Sequence, residues 1–537
     1  MATGLVHHAR ALVRSSIMSV RPPAESANTS SLHDEAIAAY QAGRFDAVRT
    51  LVDRILGEDG EHVGAIHLQG LLALAGGDTQ SARHLLERAI RIHPEPILYN
   101  TLYAIRLKLG DYSGAVERLR QGLALQPDFS ALHYNLALTL QHLERLEEAA
   151  LSYRRTLEID PEHSAAHNNL GRIHADFGAL EEAERHYRRA LELAPANLAA
   201  RNNLAMVLLA TGRYEEAWPY FEDRWVSFKL SDGRPAQTPV QVDLPRWSGE
   251  RPSAATQSLR NGRPVNESLL VLDEQGYGDS LQFVRYLPLA LERFSHVGYV
   301  CPPPLRRLYE QSLRERWPGL VLLDGVPSDL GHWDRYCPLM SLPMAFGTRL
   351  ATVPSALPYL HADAARADHW RARLEALPAG HLPRVGVVWA GGHSGIAVDR
   401  RRSLVAAQIA PLLALWQVRW ISLQKTDDPA KLADAASKAR LTDWTDELAD
   451  FAETAALIDN LDLVISVDTS VAHLAAAMGK PVWLLNRFAG CWRWLRGRDD
   501  SPWYPGLRLF TQMQRGDWDE VLTRVAIALQ QRFPLDE

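Results

Sequence analysis

The stretch Ser164–Pro195 reads SAAHNNLGRIHADFGALEEAERHYRRALELAP, and it decides how the first part of this chain is organised. Its Asn169 stands 34 residues after Asn135 and 34 before Asn203, each followed by Leu and then a small residue. Pro127, Pro161 and Pro195 keep the same step, as do Gly110, Gly178 and Gly212, with Glu144 at the equivalent place between them. A self-similar period of this length marks paired helices stacked into a superhelix.

The period and its signature residues are those of tetratricopeptide repeats. Working outward gives six helical pairs, beginning near Asp34, His62, Pro96, Phe129, His163 and Asn197, within a superhelix of residues 32–228. Small residues such as Ala137, Gly171 and Ala205 let helices approach closely, and Glu147–Leu157 and Glu181–Leu191 carry an apolar face. The sixth pair ends in Trp218, Phe221 and Trp225, expected as an aromatic plug, since terminal repeats need cover. Asn135, Asn169 and Asn203 would point into the concave face and offer amides to an extended peptide, or else bond helix to helix within the stack.

All fifteen tryptophans and all three cysteines lie from Trp218 onward, while thirteen of the twenty histidines precede it, so the two parts are built from different material. A net charge of −6 gives no long-range attraction for nucleic acid or an anionic membrane. Cys301, Cys337 and Cys491 lack the pairing that zinc or a disulfide framework needs, which fits a reducing, cytoplasmic setting. No apolar run approaches the ~20 residues that span a bilayer, and residues 1–31 read as a disordered tail.

Residues 229–266 are rich in Pro, Ser, Gly and Arg and read as a linker, with Leu244–Trp247 as a docking point. Short apolar runs then alternate with helical patterns: Leu269–Leu272, His296–Cys301 and Leu320–Leu323 in residues 267–380, then Arg384–Trp389, Trp420–Leu423, Leu463–Val467 and Val482–Leu485 in residues 381–537. Two such blocks imply two Rossmann-like lobes, and the fold class is α plus α/β. Helices are expected at Asp279–Phe294 and Pro304–Trp317, and a last helix, Trp518–Phe533, could cross back onto the first lobe.

Ligands collect beyond the carboxyl ends of parallel strands, so the loops after each strand carry the chemistry. The first loop, Asp273-Glu274-Gln275-Gly276-Tyr277-Gly278-Asp279, opens a helix; its glycines permit close backbone approach, and Asp279 could cap the helix or take a proton from an acceptor hydroxyl. The second contains Gly391 and runs to Arg400-Arg401-Arg402-Ser403, where guanidinium groups could clamp a diphosphate, with Lys425 after the next strand as another candidate. In the third, Asp468-Thr469-Ser470 leads into a helix carrying His473, an anion seat of free amides and hydroxyls. Trp492-Arg493-Trp494 and Ser501-Pro502-Trp503-Tyr504-Pro505 could grip a base or sugar. Asp517 and Asp519 fit helix capping better than a metal site.

Together these loops resemble bacterial tetratricopeptide-repeat glycosyltransferases whose catalytic region is similar to the heptosyltransferases, and the domain order is similar to that of the O-linked N-acetylglucosamine transferases. The resemblance covers Leu269–Val521 and rests on Glu274–Asp279, Asp399 with Arg402-Ser403, Val467–Leu474, Trp492–Leu495 and Ser501–Pro505. It implies a GT-B pair of lobes, the first on the acceptor side and the second binding a nucleotide-diphosphate sugar, with inversion and neither catalytic metal nor cofactor. It also implies Asp279 as the base, with Asp468, Thr469, His473 and, as the nearest match, Arg402 facing the nucleotide sugar; Gly276, Gly278, Gly391, Lys425, Ser470, Arg493 and Trp494, read from the loops themselves, complete the expected donor-binding set. The family's usual Lys is missing here, with Arg402 the nearest match, and Cys491 stands where an acidic residue is expected.

These expectations combine into a sugar transfer onto a protein held by Asn135, Asn169 and Asn203. Two other readings stay open: a non-catalytic adaptor that binds sugar nucleotides, and a transferase whose acceptor is a glycan or lipid-linked sugar.

Overall fold

Helices of 13 to 15 residues alternate with short turns from Ala27 to Leu193, as the 34-residue period requires. The computed structural model describes residues 27–227, 242–250, 259–260, 263–264, 267–378, 381–391, 401–425, 435–438 and 440–534. They form two compact units, Met1–Asn203 with Val226–Ala236, and Leu204–Trp225 with Gln237–Glu537.

In the first unit the pairs are α1 (Ala27–Gln41) with α2 (Phe45–Glu58), α3 (Val63–Ala75) with α4 (Thr79–Ile92), α5 (Pro96–Lys108) with α6 (Tyr112–Leu125), α7 (Ser130–His142) with α8 (Leu146–Ile159), and α9 (Ser164–Asp176) with α10 (Leu180–Leu193). Each pair turns through a left-handed residue: Gly178 adopts φ 77°, and Glu144 holds φ 59° at the equivalent place despite the steric cost to a residue with a Cβ. Gly171 is required for packing, because a Cβ there would lie 2.8 Å from Tyr187 Cε1. Two helices start on a histidine cap. His62 Nδ1 accepts from Ala65 N at 3.1 Å and His163 Nδ1 from Ala166 N at 3.2 Å.

The asparagine ladder is a bond between successive repeats. Asn135 is fully buried and donates to Asn100 Oδ1 at 2.6 Å, Asn203 donates to Asn168 Oδ1 at 2.9 Å, and Asn169 lies 3.4 Å from Tyr134 Oη. The expectation that Asn135 opens onto the concave face is corrected: its amide is sealed between helices.

A second polar device sits in the fifth pair. His167 Nε2 faces the Pro161 carbonyl at 3.2 Å, and a carbonyl only accepts, so Nε2 carries the proton. His167 Nδ1 therefore accepts from His186 Nδ1 at 3.0 Å. His174 stacks on His186 with centroids 5.4 Å apart, and burial, with the imidazoles of His167 and His174, brings the pKa of His186 down to about 4.

The sixth pair, α11 (Leu198–Ala210) and α12 (Tyr214–Phe221), crosses the division between the units, which falls after Asn203 inside α11. The aromatic residues of α12 belong to the core of the second unit. Trp218 donates its indole N–H to Thr348 O at 2.8 Å, Trp503 donates to Tyr214 Oη at 2.9 Å, and Trp492 packs against Trp218, Phe221 and Phe283.

Two parallel sheets follow. The first comprises β1 (Ser268–Leu272), β2 (His296–Val300), β3 (Leu320–Leu323) and β4 (Arg335–Pro338), in the order β3-β2-β1-β4. The second comprises β5 (Arg384–Val388), β6 (Arg419–Ser422), β7 (Leu441–Thr442), β8 (Leu463–Val467), β9 (Val482–Asn486) and β10 (Leu507–Thr511), in the order β10-β9-β8-β5-β6-β7. Both orders reverse beside their first strand, at β1/β4 and at β5/β8, and such reversals open a crevice at the carboxyl ends.

Much of the 229–266 segment lies outside the described residues, but Leu244–Trp247 runs along β4: Trp247 N donates to Tyr336 O at 2.8 Å and Tyr336 N to Pro245 O at 3.0 Å. The helix expected over Asp279–Phe294 is shorter, α13 (Tyr277–Phe283), and restarts at Leu287–Leu291, where Pro288 occupies a first-turn position. Beyond the first sheet lie α14 (Ala406–Leu413), α15 (Phe451–Ile458), α16 (Ser470–Ala477) and α17 (Trp518–Arg532). The expectation that the last helix crosses onto the first sheet is corrected. Trp518, Val521, Leu522, Val525 and Leu529 of α17 share a core with Val385, Ile465 and Leu485 of the second sheet and Ile409 and Leu412 of α14.

Candidate active site

The loop after β1 is stiffened from within. Gln275 takes φ 65°, Gly276 N donates to Asp279 Oδ2 at 3.1 Å, and Asp279 Oδ1 pairs with Arg493 Nη2. Asp273 Oδ1 accepts from Ser280 Oγ at 2.5 Å and Tyr299 Oη at 2.6 Å, and burial raises its carboxyl to about 7 against those two donors. Glu274 is buried and receives Arg224 in a two-pronged pair, Nε to Oε2 at 2.8 Å and Nη2 to Oε1 at 2.6 Å, while Met340 N donates to Oε1 at 3.0 Å. Arg224, in the turn that follows α12, thus braces the loop that carries Asp279.

Gly278 brings this loop to the second sheet. A Cβ at Gly278 would lie 3.0 Å from His473 Cδ2 and 3.6 Å from Ser470 Cα, so α13 and α16 meet closely here and any side chain at this position would press on His473. His473 is buried; its Nδ1 bonds Tyr504 Oη at 2.9 Å, its Nε2 stands 3.8 Å from Asp468 Oδ1, and its ring stacks on Trp494 at 5.2 Å. Burial, which Asp468 only partly offsets, holds its pKa down to about 3, so the imidazole is neutral at physiological pH.

The β5/β8 crevice gathers the residues expected to face a diphosphate. Ser466 pairs in register with Val388, which sets the loops after the two strands side by side. Gly391 N donates to Ser403 Oγ at 3.1 Å, and Arg402 Nη1 donates to Asp468 O at 2.8 Å. A Cβ on Gly391 would meet Arg402 Nε at 3.0 Å and Thr469 Cγ2 at 3.1 Å, so the three residues close on one point. Thr469 precedes the first turn of α16 without a side-chain capping bond, its hydroxyl lying 3.0 Å from Ser466 Oγ instead. Lys425 is held elsewhere: Nζ donates to Leu448 O at 2.7 Å, after β7. His393, Asp399 and Arg400 lie outside the described residues.

Arg493 joins the two sheets. It donates through Nε to Gln282 Oε1 at 2.5 Å, through Nη1 to Cys491 Sγ at 3.1 Å, and through Nη2 to Asp279. Burial opposes its charge most strongly, but Asp279, Cys491 and Asp468 together outweigh burial and raise its pKa. Arg285 makes a second link. It is buried and donates to neutral oxygens, Gln282 O at 2.7 Å, Trp503 O at 2.6 Å, Pro354 O at 2.9 Å and Tyr359 Oη at 2.8 Å. Gln282, Arg285, Arg224 and Asp273 escape a reading of the sequence. The available signal was a pair of polar residues, Gln282 and Arg285, on an otherwise apolar run from Leu281 to Leu287. Among the described residues no group of three or more His, Cys, Asp or Glu is placed to hold a metal ion, and no helix is long and apolar enough to cross a membrane.

Known proteins match both parts of this architecture. Tetratricopeptide repeat matches fall on residues 33–95, 105–164, 149–197 and 168–235, and glycosyltransferase family 9 (heptosyltransferase) matches residues 416–485, the span from β6 to β9 that includes Asp468–His473. Protein FlbA of Caulobacter vibrioides is 29% identical over 477 residues, covering 83% of this chain and 69% of that protein. Among solved structures, YrrB, described as a TPR protein with an unusual peptide-binding site, is 20% identical over 32% of this chain and 88% of its own, with a TM-score of 0.28. TTC0263, a thermophilic TPR protein of Thermus thermophilus, is 23% identical over 34% of this chain and 99% of its own, also at 0.28. The chain therefore carries tetratricopeptide repeats ahead of parallel α/β sheets, the second of which contains a segment similar to glycosyltransferase family 9.

Proposed function

We propose that this protein is an inverting, metal-independent glycosyltransferase of GT-B type that moves a sugar from a nucleotide-diphosphate sugar to a polypeptide bound by its repeats. The observation that carries this reading is the meeting of Gly278 and His473, which brings Asp279 to the edge of the β5/β8 crevice. The donor's diphosphate lies against Gly391, Arg402, Thr469 and Ser470, where a guanidinium and the free amides at the start of α16 offset its growing charge. Asp279 takes the proton of the acceptor hydroxyl, oriented by Arg493 and by the Gly276 amide. His473, being neutral, adds no charge and serves as a hydrogen-bonding wall. Asn169 and Asn203, half-buried on the repeats, are the remaining side chains of the ladder proposed to touch the acceptor backbone.

Incubation with a panel of sugar nucleotides, alone and with candidate proteins followed by intact-mass measurement, tests this reading. Sugar release or a discrete mass increment is expected, reduced roughly 100-fold or more in Asp279→Asn. No release and no increment with any donor, or a fully active Asp279→Asn, sinks it.

One observation favours a second reading, a sugar-nucleotide-binding adaptor: both carboxylate oxygens of Asp279 are already engaged. Tight binding of a sugar nucleotide without transfer to any acceptor in a lysate would select it.

A further inference from the structure

Two buried N–H donors beside the Asp279–Arg493 pair have no acceptor among the described residues. Gln282 is wholly buried, one turn beyond Gly278 on α13, and its Oε1 accepts from Arg493 Nε. Because a guanidinium nitrogen only donates, the orientation of the amide is determined, and Nε2 is left with two hydrogens and no partner. Trp494 follows Arg493 directly. Its ring is wholly buried and stacked on His473, and its indole Nε1–H is likewise unpaired.

Buried donors carry their full desolvation cost unless an acceptor arrives, and native interiors leave few of them. Gln282 is bonded to Arg493, which pairs with Asp279, and Trp494 is the chain neighbour of Arg493, so both donors stand one side chain away from Asp279. Both donors are neutral, and the nearby guanidinium is already matched by a carboxylate. A neutral hydroxyl or carbonyl oxygen suits them better than a second anion, whose charge Arg402 and the α16 amides are placed to meet.

We propose that Gln282 Nε2 and Trp494 Nε1 bind oxygens of the sugar ring carried by the donor nucleotide, which makes these two side chains determinants of sugar choice. The inference rests on the glycosyltransferase reading. A site built to bond a substrate oxygen discriminates strongly against sugars that lack it, because the donors are then stranded. Gln282 has a second duty through its Oε1, as a positioning residue for Arg493, whereas the indole N–H of Trp494 has no other role. Trp494→Phe keeps the stacked ring and removes only that donor; Gln282→Met keeps the length of the side chain.

Calorimetric titration of the full chain with UDP, ADP and GDP, and with UDP-glucose, UDP-N-acetylglucosamine, ADP-glucose and GDP-mannose, separates sugar contacts from nucleotide contacts. Wild type is expected to distinguish sugars on one base. In Trp494→Phe the affinity for the preferred sugar nucleotide falls roughly 10- to 100-fold, while the matching nucleoside diphosphate stays within about twofold. Gln282→Met shows the same split, and thermal melting verifies that both variants fold. Unchanged sugar discrimination in both variants means that only water meets these donors and overturns the inference, as does an equal loss for the sugar nucleotide and its diphosphate. A folded wild-type chain that binds none of the probes removes the transferase reading itself, a result distinct from either.

Discussion

Asp273 shows how much a single carboxyl depends on its surroundings. Its folded pKa of about 7 exceeds the ordinary aspartate value of 3.8, so between those pH values the folded state holds a proton that the unfolded chain has lost. Stability falls as pH rises through that window and stays reduced above it. Asp273→Asn keeps an oxygen for Ser280 and Tyr299 and abolishes the ionisation. Its melting temperature is expected to exceed wild type by several degrees at about pH 8 and to match it near pH ~4, by differential scanning fluorimetry; an equal loss at both would sink the assignment. The buried histidines work in the opposite direction. His67 and His186 near 4 and His473 near 3 remain neutral in the fold, so stability is complete above about 6.5 and drains away as the unfolded state takes up protons below it. His186→Gln is expected to flatten the pH dependence of urea midpoints between roughly 7 and 4.5. None of this was legible in the sequence, because Asp273 owes its raised pKa to burial, which outweighs the bonds from Ser280 and from Tyr299, 26 residues on. Asp279, Asp468 and His473 could be named as candidates from the sequence, since each follows closely on a strand end.

Among elements, a strand's position in its sheet accounts for most of what sequence patterns reveal and conceal, the apolar edge strand β3 being the exception. Leu269–Leu272, Leu463–Val467 and Val482–Leu485 are continuous apolar runs because they lie inside their sheets. The strands without such a signal, β4, β7 and β10, all lie at sheet edges. One side of such a strand's hydrogen bonding is unpaired within the sheet, so short lengths, an Arg and a terminal Pro are tolerated, as in Arg335–Pro338. The repeats were legible for a different reason: each position recurs, and Glu144 is read through Gly110 and Gly178. The Arg224–Glu274 pair, 50 residues apart in sequence, could not be read at all. Arg224→Met leaves a buried carboxylate without its cation and is expected to cost about 3–5 kcal/mol, whereas Arg224→Met with Glu274→Leu recovers much of it. Urea unfolding of the four proteins of this cycle measures the coupling; additive losses would show that the pair does not brace the loop.

At the scale of the molecule, the repeat reading of the sequence ends the superhelix at residue 228, whereas the compact unit holding both sheets starts at Leu204. Truncations separate these descriptions. A chain starting at Leu198 retains Tyr214, Trp218 and Arg224 and is expected to melt cooperatively; one starting at residue 229 lacks them and is expected to aggregate or to melt roughly 10 °C lower. Equal melting of the two would refute the importance of α12 to the second unit. The same contacts carry a cost in time. Trp218 waits for Thr348, 130 residues downstream, and Tyr214 waits for Trp503, 289 downstream. At translation rates of roughly 5–20 residues per second, Trp503 leaves the ribosome about 15–60 s after Tyr214. Throughout that interval the nascent chain displays an unmatched face of indole and phenol rings, so the newborn protein needs shelter from other chains at the point where its repeats end.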